Sequence, residues 1–239
     1  EDEVIQSNLS TVKWAGGYLD EQLSEFNTLT YTLFISPSLN RYLKALEDGQ
    51  SASQYPLQKD VTDTMLSVYY TANTQLQDIE LYLLQGGKLF TISTMEVTSR
   101  VMPEMPDEYR NMESGDLDVL IRSSPDNPDS FELVRALRRF ENRENLGYMT
   151  LRINWRFTDR VTELLNPDSG GELLITDESG KILYSPTGTT EGGAADTVRS
   201  STGSGYAQTS DAYVFYDTLD AWGLRMVKVL PRTAVDLSA

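Results

Sequence analysis

The chain opens on a seven-residue rhythm. Ile5, Val12, Leu19, Phe26 and Leu33 recur every seven positions, and Leu9 and Leu23 fall four residues after Ile5 and Leu19 on the same stripe. No proline interrupts residues 4–36. The pattern predicts one helix of about 32 residues, ~48 Å long at 1.5 Å per residue. The stripe breaks at Gly16 and Thr30, where larger residues would be expected. Gly16 and Gly17 each weaken a helix by roughly 1 kcal/mol relative to alanine. The stripe has two readings, a spine packed on its own domain or the seam of a parallel homodimer. The spacing leaves both open.

Beyond Ser36-Pro37-Ser38, which stops this helix, the period alternates between helix and strand. Leu39 to Leu46 predicts a short helix ended near Gly49, and residues 50–56 a polar loop. Gln58 to Leu76 is helical, with Val61, Met65, Val68, Tyr69 and Ala72 on one side. From Gln77 to Leu84 the period becomes two: Ile79, Leu81 and Leu83 alternate with Asp78, Glu80 and Tyr82. Gly86-Gly87 turns this strand into residues 89–92. Residues 94–111 predict irregular or weakly helical chain, broken by Pro103 and Pro106. Residues 118–122 predict a strand and 125–128 a turn. Residues 131–140 and 146–154 predict a long hairpin around 142–145.

The same order then recurs without a sequence repeat. A helix from Phe157 is followed by a hairpin whose turn is Asp177-Glu178-Ser179-Gly180. Residues 186–211, rich in Gly, Ser and Thr, predict a surface loop. Strands at 212–216 and 222–231 end at Pro231, with Trp222 expected in the core. The division is therefore 1–57 for the long and short helices, 58–156 for a first module and 157–239 for a second.

Composition narrows the chemistry. At 239 residues, 39% hydrophobic and 10% aromatic, the chain can bury one large core or two small ones. It has no cysteine and no histidine. Disulfides, thiolate sites, Ser-His-Asp triads and HExxH zinc sites are thereby excluded. Thirty-six acidic against 20 basic residues give a formal charge of −16, which argues against nucleic acid and anionic lipid as partners. No apolar run approaches the ~20 residues that span a bilayer. Glu1-Asp2-Glu3 does not resemble a basic leader region. The chain reads either as a soluble protein or as a segment between membrane helices.

Several clusters have simpler structural explanations than chemistry. Asp168, Asp177 and Glu178 could suggest paired carboxylates, but Asp177 suits the first position of a turn. Asp116, Asp118, Asp126, Asp129 and Glu132 lack an EF-hand spacing and are interrupted by prolines. Asn8-Leu9-Ser10 is a chance sequon inside a helix. Arg135 and Arg139 share a strand face with Phe131, Leu133 and Leu137. An arginine on an apolar face needs a partner, either an internal acid or the oxygens of a ligand. Tyr69, Tyr70, Tyr82, Tyr109 and Tyr148 fall in the first module, where rings with hydroxyl tips suit small organic ligands as well as an ordinary core.

Four segments carry a family resemblance: the long first helix, Phe131 to Leu137 with its central arginine, Leu146 to Asn154, and the pair Asp177–Ser185 with Trp222–Pro231. Together they resemble the extracellular double-Cache region of bacterial membrane sensors, nearest to YesM-like sensor histidine kinases. The resemblance implies an α+β fold, a long N-terminal helix followed by two PAS-like (Cache) modules with antiparallel sheets. It implies ligand sensing on the extracellular side of the membrane, with no catalytic residue, metal or cofactor in this segment. It further implies flanking membrane helices and a cytoplasmic kinase module as partners. A chemoreceptor or cyclase sensor and a soluble binding or adhesion protein are the alternatives. The amino-acid-sensing branch carries a Trp-Tyr pair where this chain has Pro106 to Asn111 without tryptophan, so no family ligand contact is carried over. The expected ligand is a small neutral or anionic organic molecule, such as a sugar derivative, in the membrane-distal module 58–156. Its candidate contacts are Tyr82, Arg100, Tyr109, Arg110, Arg135 and Tyr148.

Overall fold

The computed structural model describes residues 2–50, 54–72, 75–113, 117–165, 171–188 and 193–236. Helix α1 runs from Asp2 to Phe34. Ile5, Val12, Leu19, Leu23, Phe26 and Leu33 are all buried within this one chain. The heptad stripe therefore acts as a spine. Gly16 sits in it because an added Cβ there would meet the Asp217 carboxylate. Thr30 is also fully buried, and its hydroxyl donates to the Asn27 carbonyl at 2.6 Å. Ser36 does more than end α1: its side chain caps α2 (Pro37–Glu47) by accepting from the Leu39 N–H, and Pro37 takes the first turn. Helix α3 (Tyr55–Thr71) starts and stops earlier than its period suggests, with Pro56 in its first turn.

The chain divides into two compact units. One comprises residues 1–23, 125–129 and 155–239, and the other residues 24–124 and 130–154. Residues 1–57 form no separate unit, because the spine is buried along its length and so groups with what it packs against.

In the unit of residues 24–124 and 130–154, β1 (Leu76–Leu83), β2 (Lys88–Ser93), β3 (Val97–Val101), β4 (Val119–Ser123), β5 (Ser130–Arg138) and β6 (Asn145–Asn154) form one antiparallel sheet. Its order is β3-β2-β1-β6-β5-β4. Strand β3 replaces part of the irregular stretch expected at 94–111. Its residues are all exposed, so no period-two burial marked it. Alternation on β1 and β5 divides the sheet into two faces. Ile79, Leu81, Leu83, Phe131, Leu133 and Leu137 share one face, as does Phe90, against whose ring Tyr42 of α2 packs edge-on at 5.7 Å. The other face is covered by α4 (Asp107–Glu113), through Tyr109 and Met112.

In the second unit a short 3-10 turn (Trp155–Thr158) leads into α5 (Asp159–Leu165). Strands β7 (Glu172–Asp177), β8 (Ile182–Tyr184), β9 (Ser204–Gln208), β10 (Ala212–Leu219) and β11 (Leu224–Pro231) pair in the order β8-β7-β11-β10-β9. Two pieces of the predicted loop 186–211 are ordered, α6 (Gly193–Asp196) and edge strand β9. Residues 189–192, like Asp116 and Asp168, lie outside the described residues. The Asp177 side chain accepts from Lys181 N–H at 3.0 Å, while Gly180 takes φ +87° to close the turn. Trp222 is only half-buried, at the β10–β11 turn, where its indole donates to Asp20 at 2.7 Å. Trp155 is the fully buried tryptophan. Both sheets place their first strand beside their last, and omitting edge strand β3 makes the two orders the same. That is the architectural repeat legible in the sequence.

Candidate functional site

The even-numbered positions of β1 and β6 build a polar surface that the odd-numbered positions could not. Cross-strand register aligns Asp78 with Arg152, Glu80 with Thr150, and Tyr82 with Tyr148. Strand β5 continues each row with Glu132, Val134 and Ala136. Strand β4 adds Arg122 beside Glu132 and Leu120 beside Val134. The result is a face graded from charged to aromatic in three rows.

The charged row is a chain of ion pairs. Arg152 donates to Asp78 at 2.5 Å and to Glu132 at 3.0 Å. Arg122 donates to the second Glu132 oxygen at 2.6 Å, and its other end reaches the Glu108 carbonyl of α4 at 2.8 Å. Glu132 is almost fully buried and held by two guanidinium groups. Burial opposes the Arg152 cation, yet Asp78 and Glu132 more than offset it, so its pKa lies above the ordinary arginine value. For Asp78 burial outweighs the ion pair and raises its pKa despite the opposing pull of Arg152. Asp78 Oδ1 and Arg152 Nε are buried without hydrogen-bond partners among the described residues.

The middle row holds a second, unbalanced acid. Glu80 is pushed up to about 7, chiefly by burial, with Glu108 and Asp78 adding repulsion. Glu108 is also raised by burial and by Glu132. The Tyr109 hydroxyl lies 2.9 Å from Thr150 Oγ1 and donates to Glu80 at 3.4 Å. Its phenol is held well above the ordinary value by burial and then by the nearby Glu80 charge. In the third row the Tyr109 ring stacks between Tyr82, at 5.8 Å, and Tyr148, at 4.9 Å.

The six sequence candidates are not all brought together. Tyr82, Tyr109 and Tyr148 converge. Arg100 shares the face by register with Leu89 but sits exposed on edge strand β3. Arg110 is exposed on α4 and pairs with Glu104 at 3.4 Å and Asp107 at 3.3 Å. Arg135 points to the opposite face, because it is odd-numbered on β5. There it donates to Asn27 Oδ1 at 2.6 Å and lies 3.8 Å over the Tyr31 ring. Its partner is an internal amide, where an acid or a ligand oxygen was expected. Arg139 pairs with Glu47 and Glu144. These three residues, with Leu84, Gln85, Glu141 and Asn142, line an open cleft of about 520 Å³ in which Arg139 is already committed to two acids. Asp118 is likewise committed, to Arg138 and Arg143.

Sequence reasoning missed Asp78, Glu80, Arg122, Glu132, Thr150 and Arg152. Asp78 and Glu80 were visible as the polar half of the β1 alternation. Their partners on β4 to β6 depend on register, which alternation does not fix.

No family model and no curated protein sequence matches the chain. Solved structures do. The extracellular domain of a protein assigned as a histidine kinase, vpHK1S-Z8, superposes with a TM-score of 0.67 at 14% identity, covering 99% of this chain and 98% of that one. A domain of a sensory box/GGDEF family protein from Vibrio parahaemolyticus gives 0.64 at 14% identity, covering 98% of each chain. The sensory domain of the Campylobacter jejuni chemoreceptor Tlp3 with isoleucine bound gives 0.64 at 9% identity, covering 98% of this chain and 95% of that one. Among the described residues no helix is long and apolar enough to cross a membrane. The chain has the α+β fold of PAS- and Cache-like extracellular sensory domains, with a long first helix and two antiparallel sheets.

Proposed function

We propose that this chain is the extracellular ligand-sensing domain of a bacterial membrane sensor, and that its ligand binds on the β1–β6–β5 face beneath α4. The observation that carries this reading is the half-buried Glu80 with the fully buried Thr150 and Tyr109, next to the Asp78–Arg152–Glu132–Arg122 chain. A partly buried polar array of this size is costly to assemble for stability alone, and clustered acids with raised pKa values mark candidate binding sites. Helix α4 is only seven residues long, so the cover over the site is a small element. Four carboxylates, Asp78, Glu80, Glu108 and Glu132, face two guanidinium groups. This balance favours a small ligand rich in hydrogen-bond donors, whether the hydroxyls of a sugar derivative or the ammonium of an amino acid.

A histidine kinase is the output we favour. Two structures with this fold carry that assignment, and the resemblance of the strand segments points the same way. A chemoreceptor output is the second reading, supported by the likeness to Tlp3. Autophosphorylation of the full-length protein in vesicles separates the two.

Thermal-shift screening against sugars and amino acids tests the site. A ligand at a hundredfold excess over Kd should stabilise the fold by about 2.7 kcal/mol. Glu80→Gln and Tyr109→Phe should weaken the response, while Arg135→Ala should retain it. A ligand that binds the first two variants as tightly as the wild type overturns the assignment.

A further inference from the structure

We propose that the sheet of the second unit carries a separate binding site for a small carboxylate, centred on Arg225. Strand β11 sets Arg225 between Thr176 of β7 and Thr218 of β10, its register partners. All three side chains therefore share one face. Arg225 is 4% exposed and Thr176 1% exposed. The guanidinium makes one hydrogen bond, from Nη2 to the Ser201 carbonyl at 3.0 Å. Its Nε and Nη1 are buried without a partner among the described residues, and so is Thr218 Oγ1. No described carboxylate lies within ion-pair distance of Arg225.

Glu132 is matched to two guanidinium groups, and buried Arg135 has both Asn27 Oδ1 and the face of Tyr31. Among the described residues Arg225 has one neutral carbonyl and two further nitrogens without a partner. Arginine does not relieve burial by losing its proton. An uncompensated buried cation is among the costliest features a fold can hold, and an anion delivered to it restores the balance. Several N–H donors and a threonine hydroxyl then converge on one oxyanion. The charge count selects a monoanionic carboxylate over a phosphate dianion, since one cation stands alone. The same face continues into the buried apolar cluster of Leu174, Val198, Val214 and Val227, so the environment beside the guanidinium is aliphatic. Helix α6 packs over β10 and β11 and covers this side of the sheet.

The site belongs to the unit that does not contain Glu80 and Tyr109, and it stands whether or not the reading of that face holds. The test is the thermal midpoint of the wild-type chain in sodium acetate, sodium butyrate, sodium phosphate and sodium chloride at equal ionic strength. Acetate and butyrate should raise the midpoint in a saturable manner, and chloride and phosphate should not. Arg225→Met should abolish the carboxylate response. Thr218→Val keeps the cation and the shape, and should weaken the apparent affinity roughly threefold to tenfold through the lost hydrogen bond. Glu80→Gln should leave the response unchanged. Equal midpoints in acetate, butyrate and chloride would overturn the proposal. So would a response to phosphate alone, or a full carboxylate response in Arg225→Met. Should Arg225→Met fail to fold, a full response in Thr218→Val decides against the site.

Discussion

The rings of Tyr109 and Tyr148 lie 4.9 Å apart and within 2° of parallel. They come from a seven-residue helix and from a central strand of the sheet. Tyr82 extends the stack on the other side of Tyr109. The stack anchors α4 to the sheet and brings the Tyr109 hydroxyl to Thr150 and Glu80.

Truncating this anchor separates packing from hydrogen bonding. Tyr109→Ala should destabilise the fold by about 3–5 kcal/mol, as for other buried aromatics replaced by alanine. Tyr109→Phe keeps the stack and should cost only about 1 kcal/mol for the hydroxyl contacts. Urea denaturation of the two variants checks the difference. Similar losses would mean that the ring is not the anchor.

Glu80 should make stability depend on pH near neutrality. Its folded pKa, about 7, lies above the ordinary glutamate value of 4.5, so the folded state holds the proton more tightly. Its contribution is fully present below the unfolded value and is lost as pH rises through the folded one. The window is about pH 4.5 to 7, and the loss is on the order of 3 kcal/mol. Glu80→Gln should flatten this part of the curve. Denaturation at pH 5 and pH 8 gives the comparison, and equal slopes in both proteins contradict the assignment.

Glu132 joins two arginines, so its removal should cost more than one surface pair. Glu132→Ala leaves Arg122 and Arg152 facing each other and should cost roughly 3–5 kcal/mol. Glu132→Gln keeps the shape but not the charge, and should fall between that variant and the wild type. Chemical denaturation measures both. A loss under 1 kcal/mol for Glu132→Ala would show that the pairs are individually dispensable.

Two adjacent glycines in α1 should respond in opposite ways. A Cβ at Gly17 meets nothing within 4 Å, so Gly17→Ala should stabilise the helix by about 1 kcal/mol. At Gly16 the added atom would meet the Asp217 carboxylate, which must move aside. Gly16→Ala should therefore give less stabilisation than Gly17→Ala, or a net loss. Thermal midpoints of the two single variants test the order.

Much of the fold was legible because local periods follow burial. The stripe from Ile5 to Leu33 gave α1 to within two residues at either end, and the alternation around Ile79 and Leu81 gave β1 and its two faces. The turn at Asp177 followed from side-chain chemistry that needs no distant partner. Edge strands β3 and β9 escaped, because an exposed or half-exposed edge carries no clean alternation. The tyrosines were recognised by type, but their convergence was not a property of their spacing. Arg135 shows the same limit. Its apolar face was correctly inferred, and only the fold supplied Asn27 and Tyr31 as its partners.

The sequence by itself determined the element order, the two-module repeat, the spine and the absence of cysteine and histidine chemistry. These depend on composition and on periods of 2 and 3.6 residues, which short stretches of chain express alone. Tertiary structure decided which charges meet. Register placed Arg152 between Asp78 and Glu132 and left Arg225 between two threonines with no counter-ion among the described residues, while packing set α4 over the sheet. Such pairings join residues tens of positions apart, and a shift of one residue would send each side chain to the other face of its sheet.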